Sequence, residues 1–258
     1  MSAEASQLNR LRARRTIPCR TFFLALLAAL AMAGCNMPAD PEHTLESVRG
    51  GQMRIGVIDN PPWVVRQAEA RTVGGLEAQL MQDFALQLDA EIEWVPGSEA
   101  ELMTALEHFQ LDAVIGGLTD RSPWIKNISF SRPYHSSSIN VAMPAGAAQV
   151  LTNIKGLEIA VASGSEAAAH VHAKGGKAVP VRALDSARLP IAAPEWRLRA
   201  LGLLPGIELH RQRHVIALSP GENAWLVAMD RFLHDREGEI PALLDRAARE
   251  SDQGPDAP

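Results

Sequence analysis

Between Gln52 and Gly116, short apolar runs alternate with segments whose apolar residues recur at helical spacing, and this limits the fold more than any other feature. Gln52–Ile58 has the composition of a buried strand and stops at Asp59-Asn60-Pro61-Pro62, where the prolines cannot continue a ladder. Leu76, Leu80, Phe84 and Leu88 then recur every fourth residue, which predicts a helix over 76–88. Ala90–Val95 alternates as a strand, and Glu99–Phe109 places Leu102, Ala105, Leu106 and Phe109 on one helical face. Asp112–Gly116 is a further buried strand. A β-α-β-α-β order buries both kinds of element when the strands form a mostly parallel sheet with helices on its faces. Ligands of such sheets collect at the C-terminal strand ends, so Asp59–Trp63 and Gly117–Thr119 are expected to line one crevice.

After Tyr134 the pattern restarts. Ile139–Met143 and Leu157–Ala162 read as strands, the second followed by Ser163-Gly164-Ser165. Ser165 is suited to cap a helix over Glu166–His172. Val179–Val181 reads as a short strand and Leu189–Leu204 as a helical region, despite Pro190 and Pro194. His214–Leu218 is an expected strand and Ala224–Leu233 a closing helix. Residues 249–258, ending Ser-Asp-Gln-Gly-Pro-Asp-Ala-Pro, are expected to form a disordered tail.

The first residues read as an export signal. Arg10, Arg12, Arg14, Arg15 and Arg20 precede an apolar run over Phe22–Ala33. A span of hydrocarbon needs about 20 residues, whereas a run of this length fits the apolar part of a signal peptide. Met32-Ala33-Gly34-Cys35 resembles a lipobox, in which small residues admit a peptidase and the Cys35 thiol accepts a lipid. Residues 1–34 are therefore expected to be removed, with 35–46 left as an extended tether. Losing five arginines and Glu4 takes the net charge from −5 to −9. Phosphate binding needs clustered Lys and Arg, so nucleic acid is not an expected partner. Of the two cysteines only Cys35 would remain, which leaves no disulfide framework.

The segment Gly117-Leu118-Thr119 through Ile128-Ser129-Phe130-Ser131-Arg132-Pro133-Tyr134 resembles the ligand loop and crossover of the extracellular solute-binding proteins of amino-acid ABC transporters. Arg54-Ile-Gly-Val with Pro61-Pro62-Trp63 is similar to that family's opening strand and aromatic pocket residue. Gly75-Leu76-Glu77 is similar to its helix start, Leu111-Asp112-Ala113-Val114 to its Asp-Ala strand, and Val161-Ala162-Ser163-Gly164-Ser165 to its second-lobe loop. The likeness covers roughly residues 53–233. It implies an α/β protein of two lobes with the periplasmic-binding-protein-like fold, each lobe a mostly parallel sheet flanked by helices. Residues 47–134 with 215–248 would form lobe 1 and 135–214 lobe 2, with hinges near 133–137 and 213–215.

The resemblance also implies where a ligand would sit. Thr119 matches a position that hydrogen-bonds a ligand carboxylate, and Ser165 matches a polar contact of lobe 2. Trp63 stands where an aromatic stacks on the ligand, and Asp59 ends the first strand beside it. Trp124 occupies the position of the family's carboxylate-clamping arginine, so the bidentate fork is lost. Glu195 is the acid nearest the expected amine contact. His170 and His172 are two apart and point to different helix faces, so no metal pair is expected. No nucleophile elbow, phosphate loop or HExxH motif is present.

These residues imply a lipid-anchored, monomeric, non-enzymatic component that binds a small polar solute by lobe closure and passes it to an ABC permease. No cofactor is called for. Two other readings share the scaffold. One is a lyase resembling the periplasmic cyclohexadienyl dehydratases; the other is a non-transport lipoprotein that senses or binds a partner.

Overall fold

The computed structural model describes residues 40–67, 72–144, 146–147 and 151–252. The export signal, Cys35 and the first part of the tether lie outside the described residues, as do 253–258. Helix α1 (Thr44–Val48) leads into β1 (Gln52–Val57), a hairpin of β2 (Val65–Gln67) and β3 (Thr72–Gly74), α2 (Leu76–Gln87), β4 (Glu91–Pro96), α3 (Glu99–Glu107) and β5 (Ala113–Ile115). Then follow a 3-10 turn (Pro123–Lys126), β6 (Ser129–Phe130), β7 (His135–Ala142), β8 (Glu158–Ala162), α4 (Ala167–Ala173) and β9 (Lys177–Val181). The chain closes with β10 (Ile191–Pro194), α5 (Glu195–Ala200), β11 (Ile207–His214), β12 (Ala217–Leu218), α6 (Asn223–Asp235) and α7 (Ile240–Asp252).

Two five-stranded sheets result, ordered β4-β1-β5-β12-β6 and β11-β7-β10-β8-β9. In the first, β1 is parallel to β4 and β5, while β12 is antiparallel to β5 and β6. In the second, β10-β8-β9 are parallel and β7 runs antiparallel to β10 and β11. Helices flank both sheets, giving the two-lobed α/β fold. The chain passes from the first sheet to the second between Phe130 and His135, and returns between His214 and Ala217.

The first lobe buries the larger core. Met53, Ile55 and Val57 of β1 pack with Leu76, Leu80 and Phe84 of α2 and with Trp225, Met229 and Phe232 of α6. Trp225 is fully buried and donates from Nε1 to the Asp112 carbonyl at 2.8 Å. Asp112 in turn accepts from the Arg54 amide at 2.7 Å and its guanidinium at 2.8 Å, tying β1 to the start of β5. Ser98 and Glu101 close a capping box that starts α3 where the sequence predicts it. The second lobe has two smaller clusters, one around Ile139, Ile159 and Val171, the other around Ala160, Leu184 and Leu198.

Four expectations need correction. The segment expected to be an extended tether to residue 46 is helical from Thr44, because the Glu222 carboxylate accepts from the amides of Glu42 (2.8 Å) and Thr44 (3.0 Å). The region 189–204 is not one helix: Ile191–Pro194 pairs as a strand between β7 and β8 before α5 begins. The strand expected at 214–218 is two, an eight-residue β11 in the second sheet and β12 in the first. Residues 249–252 continue α7 rather than opening a disordered tail.

Candidate functional site

A cavity of about 1000 Å³ lies between the sheets. Its first-lobe wall comes from the loops after β1 and β5: Asn60, Pro61, Trp63 and Gly117. Its second-lobe wall comes from the loops after β8 and β9, the end of β10 and the first turn of α5, and includes Ser165, Arg182, Pro194 and Trp196. Ser137 of β7 and His214 of β11 line the cavity where the chain crosses between lobes. The site thus occupies the C-terminal ends of the parallel strands, where backbone groups are released from the ladders.

The first-lobe wall is held by Glu77, a fully buried carboxylate at the start of α2. One oxygen accepts from the amides of Gly116 (2.6 Å) and Gly117 (2.9 Å), and the other accepts from the Tyr134 hydroxyl. Burial pushes the Glu77 carboxyl up, and these three hydrogen bonds oppose the rise. Burial and the neighbouring Glu77 push the Tyr134 phenol well above its usual value. The ligand-loop backbone is therefore fixed from behind, leaving its front face to the cavity.

Gly75 and Gly117 are required by close approach. Gly75 has φ 91°, and a Cβ there would meet the Trp63 and Pro62 carbonyl oxygens at 2.7 and 2.8 Å. Those same carbonyls accept from the amides of Glu77 and Leu76, so the Pro61–Trp63 loop rests on the first turn of α2. Gly117 has φ 71°, and a Cβ there would stand 2.5 Å from Trp63 Cδ1. Trp63 is thereby wedged between the ligand loop and His214, whose ring stacks on it at 3.8 Å.

His214 connects both lobes. Its Nε2 lies 2.8 Å from Ser137 Oγ and its Nδ1 3.3 Å from the Gly117 carbonyl. A carbonyl only accepts, so Nδ1 carries the proton and Nε2 of the neutral ring accepts from the Ser137 hydroxyl. Burial, with the nearby His135, lowers its pKa to about 4. The ring is thus neutral at pH 7. Burial also lowers the pKa of His135, whose Nε2 is buried without a hydrogen-bond partner among the described residues.

Of the residues expected to bind ligand, the structure brings Trp63 and Ser165 into the cavity wall. Ser165 does not cap the helix: α4 begins at Ala167, and the buried Ser165 hydroxyl makes no hydrogen bond among the described residues. Asp59, Thr119, Trp124 and Glu195 lie outside the lining. Asp59 accepts from the Arg66 amide at 3.0 Å and so caps its own loop. Thr119 bridges to His214 through the backbone. Trp124 packs against the core around Leu102 and Ile128. Glu195 accepts from the Ser138 hydroxyl at 3.2 Å and lies 3.6 Å from Arg199. Sequence reasoning missed Ser137, His214, Arg182 and Trp196; none sits in a recognisable motif, and the crossing strands alone bring the first two together. Among the described residues no group of three metal-ligating side chains occurs, and no helix is long and apolar enough to cross a membrane.

Comparison with solved structures returns binding proteins of this architecture. An ancestral cationic amino acid solute-binding protein (AncCDT-1) is 16% identical, with a TM-score of 0.66 over 81% of this chain and 99% of that one. The L-cystine solute receptor of Neisseria gonorrhoeae is 15% identical, with a TM-score of 0.64 over 80% and 95%. A putative binding component of an ABC transporter from Wolinella succinogenes, complexed with lysine, is 17% identical, with a TM-score of 0.57 over 76% and 95%. At these identities the likeness concerns the fold. No curated protein matches the sequence. The family described as bacterial extracellular solute-binding proteins, family 3, matches residues 53–246. That match spans well over half of the chain, and the protein belongs to this family.

Proposed function

We propose that the protein is the lipid-anchored solute-binding component of an ABC transporter at the extracytoplasmic face of a bacterial membrane. It captures a small polar solute, amino-acid-like but held in an atypical way, and hands it to an inner-membrane permease. The observation that carries this reading is the cavity itself, whose walls come from separate sheets joined by two crossing segments. Rotation about the 130–135 and 214–217 crossings would bring Trp63 toward Ser165 and Trp196, enclosing the solute. Lobe 1 would comprise 47–134 with 215–248, and lobe 2 135–214. Acylated Cys35 would supply the anchor, and no covalent chemistry at the cleft is required.

A thermal-shift screen of the full chain against amino acids, polyamines, betaines, aromatic acids and prephenate tests the reading. A ligand at 100 times its dissociation constant adds about 2.7 kcal/mol, which raises the midpoint of a domain this size by roughly 5–10 °C. A shift of that size with one chemical class is expected. A flat screen on a cooperatively unfolding protein overturns it, and turnover of prephenate would replace it with a lyase. Cys35→Ser is expected to move the protein from the membrane to the soluble fraction.

A further inference from the structure

The charged side chains that line the cavity are distributed unequally. Glu166, Arg182, Asp185 and Arg197 all belong to the second lobe, and the first lobe contributes Asn60, Pro61, Trp63 and Gly117, none of them charged. Asn60 commits its amide to the Gly116 carbonyl at 2.8 Å. Glu166 accepts from the Gln212 amide at 2.9 and 3.0 Å, and Arg197 has an interaction partner of its own. Among the described residues Arg182 and Asp185 make no hydrogen bond or ion pair.

Arg182 and Asp185 share an unusual piece of backbone. The parallel crossover from β8 to β9 carries helix α4, but the crossover from β9 to β10 is residues 182–190 with no helix at all. Parallel crossovers of this kind ordinarily take a dozen or more residues, most often as a helix. Here the short loop lies on the cavity wall, and Leu184 pins it by burying its side chain with Ile191, Ala193 and Leu198. The anchor sits between Arg182 and Asp185, so the backbone that carries these two exposed charges is fixed at the wall. Across the same cavity stands Trp63, 5% exposed and stacked on His214, whose small remaining surface is apolar.

Resting on the solute-binding reading, we propose that Arg182 and Asp185 form the ionic subsite of the cleft and select a small zwitterion. Arg182 receives the carboxylate through its planar fork of donors, and Asp185 receives the cationic nitrogen. The apolar body of the solute lies toward Trp63. The lobe that loads first is then the second one, and closure of the first lobe covers a solute whose charges are already met.

The test is titration calorimetry on the full chain with zwitterionic amino acids, β-alanine and γ-aminobutyrate, each beside its carboxamide and its N-acetyl derivative. At least one zwitterion is expected to bind, with both derivatives failing. Arg182→Gln and Asp185→Asn are each expected to weaken it tenfold or more, about 1.4 kcal/mol, with Arg182→Lys intermediate. Both side chains are exposed, so the variants should keep the wild-type midpoint of unfolding. A zwitterion whose affinity changes less than threefold in both variants overturns the subsite and leaves solute binding intact. Polyamine or other non-zwitterionic binding in the companion thermal screen has the same meaning. No response to any solute overturns both readings.

Discussion

Trp63 lies on His214 with ring centroids 3.8 Å apart and planes inclined by 28°. One residue belongs to the loop after the first strand and the other to the segment returning from the second lobe, so the stack joins cleft wall to hinge. Gly117 closes the arrangement by placing its Cα against the indole edge.

Gly117→Ala and Trp63→Ala should therefore be coupled. Truncating a buried Trp costs about 3–5 kcal/mol, and Trp63 is only 5% exposed. Gly117→Ala alone should cost about 2–4 kcal/mol, from left-handed backbone strain and the collision with Trp63. In a Trp63→Ala background the collision with the indole is gone and only the approach to Asn60 Nδ2 at 2.7 Å remains, so the same substitution should cost only about 1–3 kcal/mol. Urea denaturation of the four species gives the coupling; strict additivity would mean that the two residues do not share this contact.

His214 sets a pH dependence whose sign follows from its burial. Its pKa is lowered from 6.5 to about 4, so between these values the unfolded chain binds the proton and the folded one does not. Stability from the neutral ring is complete above pH 6.5 and is lost as pH falls toward 4, by about 3 kcal/mol. His214→Gln removes this term, so its deficit relative to wild type should shrink between pH 7 and pH 4.5. Asp40, whose carboxyl burial and a bond with Glu222 push up to about 6, titrates in both proteins and cancels in the difference. A deficit that stays constant across this range would contradict a neutral, buried His214.

Glu77→Ala should destabilise the first lobe by about 3 kcal/mol or more, because two buried donors and one partly buried donor lose their acceptor. Glu77→Gln should cost less. Its carbonyl can still accept from Gly116 and Gly117 while its amide donates to the Tyr134 oxygen. Denaturant midpoints at constant slope would rank wild type, Gln and Ala in that order; equal losses would show that charge rather than hydrogen bonding holds the loop.

Glu222→Ala should release α1 without opening the cleft. The Glu222 carboxylate is 1% exposed, and it holds the amides of Glu42 and Thr44. Burial raises its pKa, yet the hydrogen bonds from Asp40 and these amides outweigh that and keep it below the usual range. Hydrogen exchange is expected to quicken at Glu42 and Thr44 and to stay unchanged at Gly116 and Gly117. Faster exchange at both places would mean that α1 is part of one cooperative unit with the ligand loop.

The first lobe was legible because its elements advertise themselves locally. The helix at 76–87 carries its core on a four-residue period, and the helix at 99–107 opens with a side-chain cap written in Ser98 and Glu101. The second lobe was harder to read. Ile191–Pro194 is an apolar run bracketed by prolines, whose strand identity comes from its neighbours β7 and β8. Strand β11 lies at the edge of its sheet beside β7 and buries Leu209 and His214, while Glu208, Arg211 and Arg213 face outward, so its apolar signal is faint. Ser165 stands where a cap belongs, but capping depends on where the first helical turn begins, and that is Ala167.

By itself the sequence determined the class of fold, the order β1-α2-β4-α3-β5 in the first lobe, and the family. Each is a matter of local spacing or of residue identity in a recognisable string. The tertiary structure alone decided that Trp124 packs into the core, that Ser137 meets His214, and that Arg182 and Asp185 share a wall with Ser165. Those contacts join residues far apart in the chain, brought together by strand pairing and crossing segments, and a local pattern carries no record of such long-range closure.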